Sequence, residues 1–253
     1  MLPGWTLDHQ VMLRCMEPVF RKRDGWRRVY LDLPGTGLSE PVDSIRNSDD
    51  MCSAILNFLD GLIPGEPFIV CGHSYGAVIA RGIARKRRSL VRGLMLLAPL
   101  TVPDVSARVL PVQQVVRSDP ALLSRLSPQD ALEFGSIAVL QGEQEWARFR
   151  DEIQIPSRAA TKDYLDRIRQ NGYGLSSDVD AEMFEHPALV IAGRQDHVVG
   201  FQDAWRLMDK FPRATFAVLD SAGHILQIEQ PDVFEALVND WLGRIELDPR
   251  ARS

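Results

Sequence analysis

The chain has 253 residues, 45% of them hydrophobic and 25% charged, with a formal net charge of −5. That is an ordinary balance for a soluble globular protein, long enough for one α/β domain with an insertion, and it argues against nucleic-acid affinity. Cys15, Cys52 and Cys71 form no C-x-x-C or metal-ligand spacing, and their odd number fits reduced thiols in a cytoplasmic protein.

At the N-terminus no basic region followed by an apolar core marks a signal peptide. Residues 68–71 form a short continuous apolar run after Pro64-Gly65-Glu66-Pro67, as expected of a strand buried on both faces. The run breaks into Gly72-His73-Ser74-Tyr75-Gly76 and resumes as a helix through Ala77, Ile79, Ala80 and Ile83, with Arg85, Lys86, Arg87 and Arg88 in its last turn. A G-x-S-x-G sequence between strand and helix is a nucleophile elbow. The Ser sits in a strained turn with its Oγ pushed out over the sheet edge, and glycine on either side avoids clashes. Arg81 and Arg85 to Arg88 read as a solvated helix end, since no aromatics are interleaved to stack bases. Residues 94–100 read as the next strand, far too short to cross a bilayer.

Residues 100–186 carry helix signals only, a stretch too long for a plain loop. Asp119-Pro120 and Ser127-Pro128 are helix starts, each a capping residue with Pro at the first helical position. The second runs through Leu132, Phe134, Ile137, Ala138 and Leu140 to a stop at Gly142. Trp146, Phe149 and Ile153 share one face of the following helix, and Tyr164, Leu165 and Ile168 mark another that ends near Gly172. This insertion reads as a helical cap, with residues 1–99 and 187–253 as the core. Such a cap excludes water and shapes an apolar pocket. Trp146 and Phe149 are candidates for the pocket lining as well as for packing beneath the cap.

Residues 187–193 form a further apolar strand leading into Arg194-Gln195-Asp196. Residues 214–219 form another, followed by the loop Ser221-Ala222-Gly223-His224. In an open parallel sheet such loops gather at one edge, so Ser74, Asp196 and His224 converge in the order Ser, Asp, His that this elbow requires. His197 is the alternative base, and Asp178, Asp180 and Asp220 are alternative acids. His9, His73 and His186 are assigned structural roles, and the chain closes on a charged tail at residues 248–253.

Taken together these motifs resemble the α/β-hydrolase superfamily, in particular its small bacterial serine hydrolases with a helical cap, over most of the chain. Asp32-Leu33-Pro34-Gly35-Thr36-Gly37-Leu38-Ser39 is similar to the family's D-x-x-G-x-G-x-S loop after its fourth strand, here residues 28–31. The resemblance implies a mostly parallel sheet flanked by helices, with an inserted all-helical cap. It makes His224 the general base, Asp196 the residue that holds its tautomer, and the backbone N–H of Tyr75 one oxyanion donor. The second donor would be Trp5, in Leu2-Pro3-Gly4-Trp5, where Pro stands in place of the family's usual His. The resemblance further implies a strand between residues 28–31 and 68–71, for which there is no room after Met1, so N-terminal strands are expected to be missing from this chain. Because its absence leaves two rows of buried backbone groups unpaired, the expectation is an upstream start or a replacement from elsewhere, such as a neighbouring copy in a homo-oligomer.

Family members that open carbon–halogen bonds or epoxides carry Asp at the elbow, so Ser74 points instead to acyl transfer to water. The expected substrate is a small-molecule acyl compound, foremost a carboxylic ester, cleaved through an acyl-serine without metal or organic cofactor. A C–C bond next to a ketone is an alternative on the same residues. A proline-type aminopeptidase is another, and would need an acid in the cap, for which Glu143, Glu145, Asp151 and Glu152 are candidates. From a different class, a ligand-binding sensor with slow or no turnover would keep the same constellation.

Overall fold

In chain order the computed structural model, which describes residues 1–177 and 181–248, begins with α1 (Gln10–Phe20) and α2 (Ser48–Leu62), then β1 (Phe68–His73), α3 (Tyr75–Lys86) and β2 (Val91–Leu97). β1, β2, β5 (Ala188–Gly193) and β6 (Ala214–Leu219) pair in that order, all parallel. Between β2 and β5 lie β3 (Arg117–Ser118), α4 (Pro120–Arg125), α5 (Pro128–Gly135), β4 (Leu140–Gln141), α6 (Glu143–Phe149), α7 (Ile155–Ala159) and α8 (Lys162–Gly172). α9 (Gln202–Trp205) joins β5 to β6, and α10 (Leu226–Glu229) and α11 (Pro231–Glu246) complete the described chain.

The apolar runs are continuous because both sheet faces are covered. Along β2, Leu94 and Leu96 face a core built with α2 and α3 residues such as Ile55, Ile79 and Ile83, whereas Met95 and Leu97 face one built with Met12, Met16, Val238 and Trp241 of α1 and α11. β5 repeats the alternation, Ala188 and Val190 on one side, Leu189 and Ile191 on the other. Trp241 satisfies its buried Nε1–H by donating to the Pro187 carbonyl at 3.0 Å. Cys15, Cys52 and Cys71 are buried free thiols.

Residues 28–31, expected as a strand, form no regular one. Among the described residues their only strand-like bonds run to the first residue: the Met1 ammonium donates to the Val29 carbonyl at 2.8 Å and the Leu31 N–H donates to the Met1 carbonyl at 3.2 Å. On its other side Leu2 donates to Cys71 and accepts from His73, in a parallel bridge to β1. Met1 and Leu2 thus hold the position between residues 28–31 and β1, but two residues give the neighbouring segment too few bonds to become a ladder. Behind Met1 a slot of about 340 Å³ opens between Trp26–Leu31 and the free edge of β1, walled by Phe20, Leu59, Phe68 and Ile69.

The insertion also departs from a purely helical reading. Asp119 and Ser127 cap α4 and α5 as expected, accepting from Leu122 N–H at 3.0 Å and Asp130 N–H at 3.1 Å. α5 stops at Gly135, however; Ser136 and Ile137 turn back on it, the Ile137 and Ala138 N–H groups donating to the Phe134 carbonyl, and Leu140–Gln141 pairs with β3. No described helix is long and apolar enough to cross a membrane.

Candidate active site

Ser74 ends β1 and opens α3 with φ 52° and ψ −113°, a conformation that costs a non-glycine residue energy and is held by its surroundings. Its N–H donates to the Leu97 carbonyl at 2.9 Å, which pins the turn to the end of β2. The glycines around it are required by contact. A Cβ on Gly72 would lie 2.2 Å from the Gly76 carbonyl oxygen, and one on Gly76 would lie 2.5 Å from the carbonyl oxygens of both Leu2 and Pro3.

The loops after β5 and β6 bring their residues to the same edge. Ser74 Oγ lies 3.0 Å from His224 Nε2, and His224 Nδ1 lies 2.9 Å from Asp196 Oδ2. Asp196 is fully buried, and its Oδ1 accepts the N–H groups of Val198 and Val199 at 2.9 and 3.0 Å. Burial alone would push its carboxyl up. The imidazole of His224 and those N–H groups outweigh burial and hold it below the usual range. A carboxylate can only accept, so Nδ1 donates to Asp196, and Nε2 is left to accept from the Ser74 hydroxyl. The two loops are tied by Gln195, whose N–H donates to the Ala222 carbonyl and whose Oε1 accepts the Ala222 N–H.

Both predicted oxyanion donors flank this row. Tyr75 is the first residue of α3, so its N–H has no intrahelical partner. Trp5 follows Gly4 in the turn after the Leu2 bridge, its ring packed edge-on against Tyr75 at 4.8 Å and Tyr173 at 4.9 Å. A cavity of about 280 Å³ opens over Ser74 and His224, walled by Trp5 from the core and by Ile137, Ile153 and Tyr173 from the insertion.

Trp146 and Phe149 do not line that cavity. They close on Phe134 in an aromatic cluster with ring centroids 5.4 and 5.2 Å away, because their helix face turns toward α5. His197 bonds the Ser136 carbonyl at 2.9 Å and Asp220 accepts from Gln195, so neither joins the row. Asp178 and Asp180, like residues 249–253, lie outside the described residues. Glu143, Glu145, Asp151 and Glu152 pair with Arg125, Arg117, Arg150 and Arg148, and none reaches the cavity. Among the described residues no group of three His, Cys, Asp or Glu is placed to hold a metal ion.

Two features escaped sequence reasoning. Arg108 and Arg169 reach the cavity from segments with no motif. Glu229, 4% exposed, accepts the Gly223 N–H at 2.6 Å and the Val139 N–H at 2.7 Å, joining the loop of His224 to the insertion. An acid directly after the mostly apolar stretch Ile225–Ile228 was its one sequence signal.

A family model described as "Alpha/beta hydrolase family" matches residues 1–237. The 2-hydroxymuconate semialdehyde hydrolase of Pseudomonas sp. (strain CF600) is 28% identical, over 87% of this chain and 78% of that protein. The pimeloyl-[acyl-carrier protein] methyl ester esterase of Shewanella woodyi (strain ATCC 51908 / MS32) is 25% identical, over 96% of this chain and 93% of that one. Among solved structures, an alpha/beta superfamily hydrolase from Oenococcus oeni PSU-1 superposes with a TM-score of 0.87 at 25% identity, covering 97% of this chain and 91% of its own.

Proposed function

The chain belongs to the α/β-hydrolase family, and from that premise we propose that it hydrolyses a carboxylic ester or related acyl bond through an acyl-Ser74 intermediate. The observation that carries the reading is the 3.0 Å approach of Ser74 Oγ to His224 Nε2, with Asp196 behind the ring. His224 takes the hydroxyl proton as Ser74 attacks the carbonyl, then delivers it to the leaving alkoxide. Water attacks the acyl-serine by the same route in reverse, releasing the acid and restoring the hydroxyl. The N–H groups of Tyr75 and Trp5 stabilise the tetrahedral oxyanion. Relatives named as a semialdehyde hydrolase and as a methyl ester esterase support hydrolysis in general, and the esterase favours the ester. An aminopeptidase role finds no support, because the acids that could hold a free amine are paired with arginines away from the cavity.

The test is labelling by a fluorophosphonate followed by turnover of short p-nitrophenyl esters. Ser74→Ala and His224→Ala are each expected to abolish labelling and lower kcat by about a thousandfold or more. A folded wild-type protein that is not labelled would overturn the reading. Labelling with at most one turnover per site would favour the sensor instead.

A further inference from the structure

Two guanidinium groups line the cavity over Ser74, and among the described residues neither Arg108 nor Arg169 forms a direct ion pair with a carboxylate. Arg108 is half-buried and held by main-chain carbonyls only, donating to Val102 at 2.8 Å, Val198 at 2.8 Å and Pro103 at 2.9 Å. Three carbonyls fix its direction without neutralising its charge. Arg169 lies over the ring of Tyr173, 5.0 Å from its centroid, and Tyr173 itself walls the cavity. Burial lowers the affinity of Arg108 for its proton and the charge of Arg169 acts in the same direction, outweighing the opposite pull of Tyr173, Asp196 and Asp104. The two cations lie near one another beside the cavity, Arg108 half-buried and Arg169 exposed, and with neither held in a direct ion pair a bound carboxylate can supply one.

We propose that Arg108 and Arg169 form a subsite for a carboxylate on the substrate, so that the preferred substrate is a half-ester of a short dicarboxylic acid or an acyl compound of similar charge. The inference rests on the acyl-transfer reading of the same cavity and narrows its substrate class. A cavity of about 280 Å³ lies at the small end of ligand pockets, which favours a short chain between the scissile carbonyl and the anionic end. Guanidinium suits that end because its planar fork can donate two parallel hydrogen bonds to a carboxylate.

The test uses monomethyl glutarate and dimethyl glutarate, the same skeleton with its second carboxylate free or masked. Binding is measured calorimetrically to full-length Ser74→Ala protein, which requires no turnover. The monoester is expected to bind at least about tenfold more tightly than the diester, the range of a charge-assisted hydrogen bond. Adding Arg169→Glu should bring that ratio below one. Arg169 is exposed and on the surface of α8, and an unchanged melting temperature would verify that the double variant is folded. Equal binding of the two esters, or a preference that survives Arg169→Glu, would overturn the proposal. Fluorophosphonate labelling of the wild type separates the two levels. A labelled serine with equal ester binding sinks the anionic subsite alone, whereas selective binding by a protein that is never labelled upholds the subsite and sinks the acyl-transfer reading.

Discussion

At Gly76 a single methyl group would meet two carbonyl oxygens at 2.5 Å, and because both belong to backbone neither can rotate away. The carbonyls are those of Leu2 and Pro3, whose segment leads directly into Gly4 and Trp5, so the disturbance passes to the proposed oxyanion donor. Gly76→Ala should lower stability by roughly 1–3 kcal/mol, as overpacking does. It should also slow fluorophosphonate labelling by about tenfold or more, since a small misplacement at a reacting centre is costly. Gly61, near the end of α2, is the control: a Cβ there meets nothing within 4 Å, so Gly61→Ala should raise stability by about 0.5–1 kcal/mol and leave labelling unchanged. Equal effects of the two substitutions in chemical denaturation would remove contact as the explanation. This elbow was legible in the sequence because its constraints are local: strand, tight turn and helix lie within a few residues of Ser74. Arg108 and Arg169 were not, because only the folded insertion brings them to one cavity.

At the scale of elements, legibility follows whether a segment carries its own reason for its shape. β2 and β5 are apolar on both faces and were readable as buried strands. Residues 28–31 were not correctly readable, because a strand also needs a neighbour and theirs is only Met1. The continuation of α5 to Gly142 failed for a related reason. Residues 137–140 have a helix-compatible apolar pattern, but the N–H groups of Val139 and Leu140 are claimed by Glu229 and so are not free to bond back along a helix. Glu229 of α10 thereby fastens the insertion to Gly223, the residue before His224. Glu229→Gln keeps the size but, above about pH 7 where the carboxyl is ionised, turns an acceptor pair into one acceptor and one donor, leaving a buried N–H facing an NH2 group. The expected outcome is a loss of about 1–3 kcal/mol in urea unfolding, the cost of an unsatisfied buried group. Because the Gly223 N–H is one of those at risk, kcat on a neutral ester should fall more than KM changes. A fall in stability with kcat intact would make Glu229 a support of the fold alone.

For the molecule as a whole, the two buried carboxylates near His224 act on stability in opposite directions as pH changes. Asp196 is held below its ordinary range, so its contribution is present above its unfolded pKa and is lost as pH falls through the folded one. Glu229 is pushed up from 4.5 to about 7, chiefly by burial, against the pull of the three N–H groups that donate to it. In the folded protein it therefore retains a proton that the unfolded chain has already released between those values. The unfolded state binds fewer protons there, so stability declines as pH rises from 4.5 through about 7, by on the order of 3 kcal/mol for this group. Glu229→Gln removes that titration and leaves the others in place, so the difference between the two proteins isolates it. In urea unfolding at pH 5, 6, 7 and 8, the wild type should lose stability relative to Glu229→Gln with each step up to pH 7, and the gap should level off above it. A gap that stays constant would mean that the three N–H donors hold Glu229 ionised across the whole range, so that the link between the insertion and the histidine loop is a fixed ion rather than one that titrates.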